Sequence, residues 1–210
     1  MNAAQPAADF WNDRYEAEAY AYGTEPNGYF RRQLDQLTPG RLLLLAEGKG
    51  RNAVYAARRG WQVTAIDFSD EGRAKAARLA SSQGVHPDYQ VTDLTALSWE
   101  QPGQFEAIGL IFAHFAPATR RAVHAAAAAS LAPGGHLLLE AFSPRQLGLA
   151  SGGPREAELL YEPAALAQDF AALHLLEDRE VNVVLHEGAY HTGPAAVVHL
   201  LATRPHLSSL

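Results

Sequence analysis

The sequence has no cysteine and a single methionine. Without thiols there is no disulfide framework, no thiolate zinc site and no cysteine nucleophile. Positive charge is also scarce. The chain has 17 Lys and Arg against 23 Asp and Glu, for a net charge of -6, and the basic residues are scattered, which argues against nucleic acid as a partner. No apolar run reaches membrane-spanning length, and the start, with Asp9, Asp13 and Glu16, lacks the basic head and apolar core of a signal peptide. The expectation is a cytoplasmic protein, monomer or homodimer, that works on a small molecule without a membrane or a metal ion.

What is present is a core-forming composition. With 210 residues, 48% of them hydrophobic, the chain is long enough for one α/β domain. It is organised around residues 41 to 67. Arg41-Leu42-Leu43-Leu44-Leu45-Ala46 reads as a strand buried on both faces, followed by the loop Glu47-Gly48-Lys49-Gly50-Arg51-Asn52, a helical run to Arg59, and a second strand ending in Ile66-Asp67. Glycines where a helix begins allow backbone to approach a ligand closely. An acid about 20 residues beyond the first glycine is where one βαβ unit places a carboxylate over a ribose. The stretch reads as a nucleotide pocket.

The remaining segments follow in order. Phe10, Trp11, Tyr15, Tyr20 and Tyr22 crowd a polar stretch, either packing a helix on the sheet edge or forming a lid over a ligand. A turn over 23–28 leads to a helix predicted from Gly28 to Leu37. Ser69 is read as the N-cap of a helix reaching Gly84. Strands are predicted at Pro87–Val91, Phe105–Phe112 and His136–Phe142, with an alanine-rich helix from Pro117 to Leu131 between the last two. This alternation predicts a doubly wound parallel sheet whose ligands sit beyond the carboxyl ends of the strands. Residues 156–170 read as helical with a break at Pro163. Strands at Glu180–His186 and Ala195–Thr203, linked by Glu187 to Pro194, read as a closing antiparallel hairpin, one strand beside the fifth. Glu140, near the end of a central strand, needs a partner if buried, and Arg51 or part of the lid is the expected one.

Four segments carry a resemblance: Tyr22-Gly23-Thr24-Glu25-Pro26-Asn27, Leu45-Ala46-Glu47-Gly48-Lys49-Gly50-Arg51-Asn52, Leu139-Glu140-Ala141-Phe142-Ser143-Pro144 and Gly152-Gly153-Pro154. With Asp93-Leu94 after the third strand and Pro133-Gly134-Gly135 before the fifth, the chain resembles the class I S-adenosylmethionine-dependent methyltransferases. More narrowly, it resembles the bacterial branch related to tellurite-resistance and thiopurine-type methyltransferases. The resemblance implies a Rossmann-like α/β fold: a doubly wound, mostly parallel seven-stranded sheet with a C-terminal antiparallel hairpin. It divides the chain into an N-terminal helical and aromatic extension, residues 1–40, read as a lid, and a methyltransferase domain, residues 41–210.

The resemblance also implies roles. Ala46, Glu47, Gly48, Gly50, Arg51 and Asn52 form the loop that passes the methionine and ribose of S-adenosylmethionine. Asp67 accepts from the ribose hydroxyls, Phe68 lies along the adenine, Asp93 receives the adenine amino group, and Leu94 offers an apolar edge. The Ala113 backbone meets the sulfonium region. The general class has an acid and a first glycine where this chain has Leu44 and Ala46; Glu47 then takes over the acid's work from another angle. His114 is the candidate proton acceptor, and Tyr15, Tyr20, Tyr22 and His191 form the substrate side.

The implied reaction is methyl transfer to a small molecule, a thiol or a chalcogen oxyanion among the acceptors considered; a soft nucleophile needs no base. Two alternatives stand beside it. A nicotinamide-dependent oxidoreductase shares the glycine loop and the acid, but its Gly-x-Gly-x-x-Gly is missing, because the third position falls on Ala53. The other is an S-adenosylmethionine-binding protein that catalyses nothing.

Overall fold

Leu42 to Leu45 are each no more than 1% exposed, and everything else is layered around them. They form β1 (Arg41–Leu45), paired in parallel with β2 (Gln62–Asp67) on one side and β4 (Phe105–Ile111) on the other. The computed structural model of the chain describes residues 22–96 and 100–206.

A strand buried on both faces reads as a continuous apolar run because its side chains alternate between two covered layers. Leu42 and Leu44 face Phe30 and Leu34 of α1 (Gly28–Leu34) and Ala53 and Ala56 of α2 (Arg51–Arg58). Leu43 and Leu45 fall in the opposite cluster with Val123 and Ala127 of α4 (Pro117–Ser130). In the alanine run of that helix Ala126, Ala127 and Ala128 are buried, consistent with close packing on the sheet. Gly109 has a similar cause, since a Cβ there would lie 2.6 Å from Leu44 Cδ2. Each of these choices lets layers approach.

The remaining elements are α3 (Asp70–Ser82), β3 (Asp88–Val91), β5 (Leu131–Phe142), α5 (Pro163–Asp169), β6 (His174–Glu187) and β7 (His191–Thr203). The sheet order is β3-β2-β1-β4-β5-β7-β6. β1 to β5 run parallel, and β7 is inserted between β5 and β6, antiparallel to both. This is the seven-stranded Rossmann-like sheet expected, hairpin included. Strand order reverses between β1 and β4, where α/β sheets open a crevice beyond their carboxyl ends.

Several boundaries differ from the sequence reading. α1 stops at Leu34, with Asp35 as C-cap; Leu37 is held by a single tight-turn bond from its amide to Leu34 O at 3.0 Å. Residues 156–162 are not α-helix but a 3₁₀ turn, Ala157–Leu159, and Pro163 opens α5 instead of breaking a helix. A proline suits the first helical position, and the residue before it, Glu162, is extended at φ -99 and ψ 144. β5 begins pairing at Leu131, and Pro133-Gly134-Gly135 is an irregularity inside it, between the Phe105–Leu131 and Ala107–His136 pairs. The hairpin strands are much longer than predicted, and their link shrinks to Gly188-Ala189-Tyr190. Glu177, Asp178, Arg179 and Glu180 sit on edge strand β6, where charge masks the strand pattern without preventing pairing.

No helix among the described residues is long and apolar enough to cross a membrane. Phe10, Trp11, Tyr15 and Tyr20 of the expected lid lie outside the described residues.

Candidate active site

At the crevice, the loop after β1 is shaped by two carboxylates. Asp67, 3% exposed at the end of β2, accepts from the Gly48 amide at 2.9 Å and from the Ser69 amide at 3.0 Å. It thereby ties the glycine loop to the second strand. Burial pushes its pKa up to about 6, against the pull of those amides. Glu47 turns inward to the start of α2, accepting from the Asn52 and Ala53 amides at 2.8 and 2.9 Å. It fills the cap that Gly50, at φ 79, has no side chain to provide. Burial, stronger than these bonds, raises Glu47 to about 7.

The glycines of the loop are set by conformation at Gly48 and by space at Gly50. Gly48 stands at φ 63, and its carbonyl accepts from the Tyr89 hydroxyl. A Cβ on Gly50 would fall 2.5 Å from Ala76 Cβ, so the loop lies directly on α3. Two non-glycine residues also adopt the left-handed region, Ala46 at φ 55 and Phe112 at φ 54. They end β1 and β4 on the two sides of the crevice. Left-handed backbone at a non-glycine residue persists where surrounding contacts over-determine it, most often at functional sites.

A cavity of about 520 Å³ opens here, within the usual range for small-molecule sites. The structure brings Ala46, Glu47, Gly48, Arg51, Asn52 and Asp67 to its wall, together with Phe68, Ala113 and His114, and with Tyr22 and His191 from distant parts of the chain. It does not bring Gly50, Asp93 or Leu94 to the wall. Asp93 is exposed and its Oδ1 accepts from the Thr95 amide at 2.8 Å, a turn-capping job. Leu94 is buried in the core with Leu43 and Phe115.

His114 is locked. Its Nδ1 donates to Leu159 O at 2.7 Å, and its Nε2 accepts from the Phe142 amide at 3.2 Å. Burial lowers its pKa to about 4. With both ring nitrogens used by backbone, no lone pair is left for a substrate proton, so the proton-accepting role expected of His114 does not suit its geometry. It holds the 3₁₀ turn to β5 instead.

Behind Tyr22, Arg51 and His191 of the cavity wall lies a network that sequence reasoning missed. Asn27 caps α1 by accepting from the Phe30 amide at 2.8 Å. Its amide nitrogen donates to Glu140 and, at 2.9 Å, to Glu187. Glu187 also binds Arg51 Nη2 at 2.7 Å, and Arg51 Nη1 donates to Tyr22 O at 3.0 Å. Arg51 thus pairs with Glu187 and not with Glu140, which is bound to His199 Nε2 at 2.8 Å. Burial would raise Glu187, but His191 and Arg51 outweigh it and hold the carboxylate near 2. His191, expected in a loop, is the first residue of β7 and 6% exposed. Its ring lies 4.4 Å from Tyr22 and 4.5 Å from Phe112. Phe112 and Phe142 line the cavity; as the ends of apolar strands, they gave no signal beyond burial.

The comparisons with known proteins agree with this geometry. Residues 42–135 match the family model described as a methyltransferase domain. A ubiquinone biosynthesis O-methyltransferase of Xanthomonas euvesicatoria pv. vesicatoria is 37% identical over 123 residues, covering 56% of this chain and 50% of the relative. The chain therefore spans about half the length of the curated relatives it matches. Among solved structures, TehB from Haemophilus influenzae superposes with TM-score 0.70 at 17% identity, over 94% of this chain and 66% of that one. A structure from work on conversion of a disulfide bond into a thioacetal group in echinomycin biosynthesis reaches 0.73 at 18% identity, over 96% and 94%. Over residues 42–135 the chain is thus similar to methyltransferase domains, and its glycine loop, the acid ending β2 and the inserted β7 are consistent with that similarity.

Proposed function

We propose that the chain transfers a methyl group from S-adenosylmethionine to a small-molecule acceptor. One observation carries the reading: a single cavity is lined both by the glycine loop and Asp67 and by the rings of Tyr22, Phe112, Phe142 and His191. The donor set fits the cofactor. Asp67 keeps lone pairs beyond those used by Gly48 and Ser69 and would accept from ribose hydroxyls. Phe68 offers a ring for adenine, and Ala46 and Gly48 let backbone pass close to the methionine portion. The bound cofactor supplies an already activated methyl group, so the chain's own work is alignment and exclusion of water. Within the N-terminal extension, Tyr22 is the part that supports a lid: its carbonyl accepts from Arg51 and its ring lies 4.4 Å from His191, whereas α1 packs Phe30 and Leu34 into the core.

The names of the Xanthomonas relatives put an oxygen acceptor first; thiols and chalcogen oxyanions remain in the panel to be tried. Calorimetry with S-adenosylmethionine and with NADH, followed by a turnover screen over phenols, thiols, tellurite and selenite, tests the reading. Saturable binding of NADH alone would refute it. Tight S-adenosylmethionine binding without turnover of any acceptor would favour the non-catalytic binder.

A further inference from the structure

With His114 fully engaged by backbone, one other imidazole lines the cavity among the described residues, His191, and its surroundings are those of an oriented base. Glu187 and His191 face each other as a cross-strand pair on either side of the hairpin link. His191 Nδ1 lies 3.6 Å from Glu187 Oε2 and has no hydrogen-bond partner among the described residues. An unpartnered buried ring nitrogen next to a carboxylate needs only a small shift to donate to it, which would leave Nε2 as the nitrogen with a lone pair. Glu187 is not free to wander, because Arg51 and Asn27 hold it from α2 and the start of α1. Phe112 meets the imidazole edge-on, and Phe142 stands across it at 5.4 Å. Gly152 matters as well: a Cβ there would lie 2.8 Å from His191 Cδ2, so only glycine lets the loop after β5 close against this ring. Tyr22, Phe112 and Phe142 line the same cavity, and aromatic walls favour a flat partner that meets them by stacking or edge-on.

We infer that His191, oriented by Glu187, takes the proton of the acceptor, and hence that the acceptor is a weakly acidic hydroxyl on a flat ring, phenolic or enolic. The inference rests on the methyl-transfer reading and deepens it. The acceptor oxygen gives its proton to His191 Nε2 as it forms the new O–C bond; the methyl S–C bond breaks and its electron pair stays on sulfur. The products are the methyl ether and S-adenosylhomocysteine, and the proton passes from His191 to solvent. His191 is the catalytic residue; Glu187 is a positioning residue. The charged and titratable groups facing His191 are Glu187 on β6, Arg51 on α2, Glu140 on β5 and His114 after β4.

The test uses two readouts on the full chain. Imidazole nitrogen NMR of the S-adenosylhomocysteine complex should show His191 as the neutral Nδ1-protonated tautomer, and Glu187→Gln should weaken that preference; an Nε2-protonated His191 overturns the inference. Turnover is then measured with catechol, 3,4-dihydroxybenzoate, thiophenol and 2-mercaptoethanol. His191→Asn should keep S-adenosylmethionine affinity within about twofold and lose about 10² to 10⁴ in kcat with the hydroxyl acceptors. The acidic limb of the wild-type pH–rate profile should vanish with it, and imidazole should restore part of the activity of His191→Ala. A kcat within about threefold of wild type overturns the assignment. Turnover of thiols alone overturns it while leaving methyl transfer standing; failure to bind S-adenosylmethionine removes both. Should the variants not fold, the tautomer of the unaltered chain decides.

Discussion

The two ends of the cavity are built in different ways. The proposed cofactor end is local: Asp67 reaches Gly48, and Glu47 reaches Asn52 and Ala53, all within one βαβ unit and with backbone amides as donors. The acceptor end is assembled across the chain, with Asn27, Arg51, Glu140, Glu187 and His199 meeting through side chains separated by up to 160 positions. A carboxylate held by backbone amides tolerates change in its neighbours' side chains. One held by side chains depends on every partner, because removal of any leaves an unpaired buried charge. The proposed cofactor end is thus a property of one segment, and the proposed acceptor end a property of the whole fold.

Breaking the acceptor end should therefore cost most. Asn27→Asp keeps the α1 cap acceptor but places a third carboxylate between Glu140 and Glu187. It should destabilise the protein by about 3 to 5 kcal/mol at neutral pH, read by urea unfolding; a loss under about 1 kcal/mol would show that the network is not held by this residue. At the cofactor end, Asp67→Ala should weaken S-adenosylmethionine binding by about 1.5 to 3 kcal/mol, and unchanged affinity in calorimetry would remove Asp67 from the site.

Proton linkage should set the ends against each other. Glu47, raised from 4.5 to about 7, binds more protons folded than unfolded, so its contribution is fullest at low pH and lost as pH rises toward 7. His114, lowered from 6.5 to about 4, binds fewer protons folded, so its contribution is present above 6.5 and lost as pH falls toward 4. Between pH 7 and pH 5 the stability of wild type relative to Glu47→Gln should rise by about 2 kcal/mol. Relative to His114→Gln it should fall by about 1 to 2 kcal/mol, the smaller figure allowing for the partial exposure of His114 toward the cavity. Parallel trends in the two variants would contradict the assigned environments. The smallest effect belongs to Ser69→Ala, which removes the Gly72 cap bond of α3. It should lower stability by about 1 kcal/mol in thermal melts. His191-dependent chemistry at the far end should not register it.

Much of the first end was legible. The leucine run, the glycine loop and Asp67 sit where local periodicity and spacing place them, and the sheet with its terminal hairpin followed from the alternation of elements. Asp93 shows the limit: the motif position gave an acid, but it is not on the cavity wall, and its Oδ1 accepts from the Thr95 amide. The hairpin was recognised but shortened, because charges on edge strand β6 hid the alternation that pairing with β7 imposes. That shortening placed His191 in a loop instead of at the start of a strand.

By itself, then, the sequence determined the layered α/β fold and the glycine loop after β1, since both depend on hydrophobic period, glycine backbone freedom and contacts within one βαβ unit. Only the tertiary structure decided which imidazole is spent on backbone and which faces a carboxylate in the pocket. His114 and His191 are the same residue type near equally plausible strand ends. What separates them is the company brought by Leu159 and Phe142 in one case and by Glu187 in the other, and no spacing along the chain encodes that.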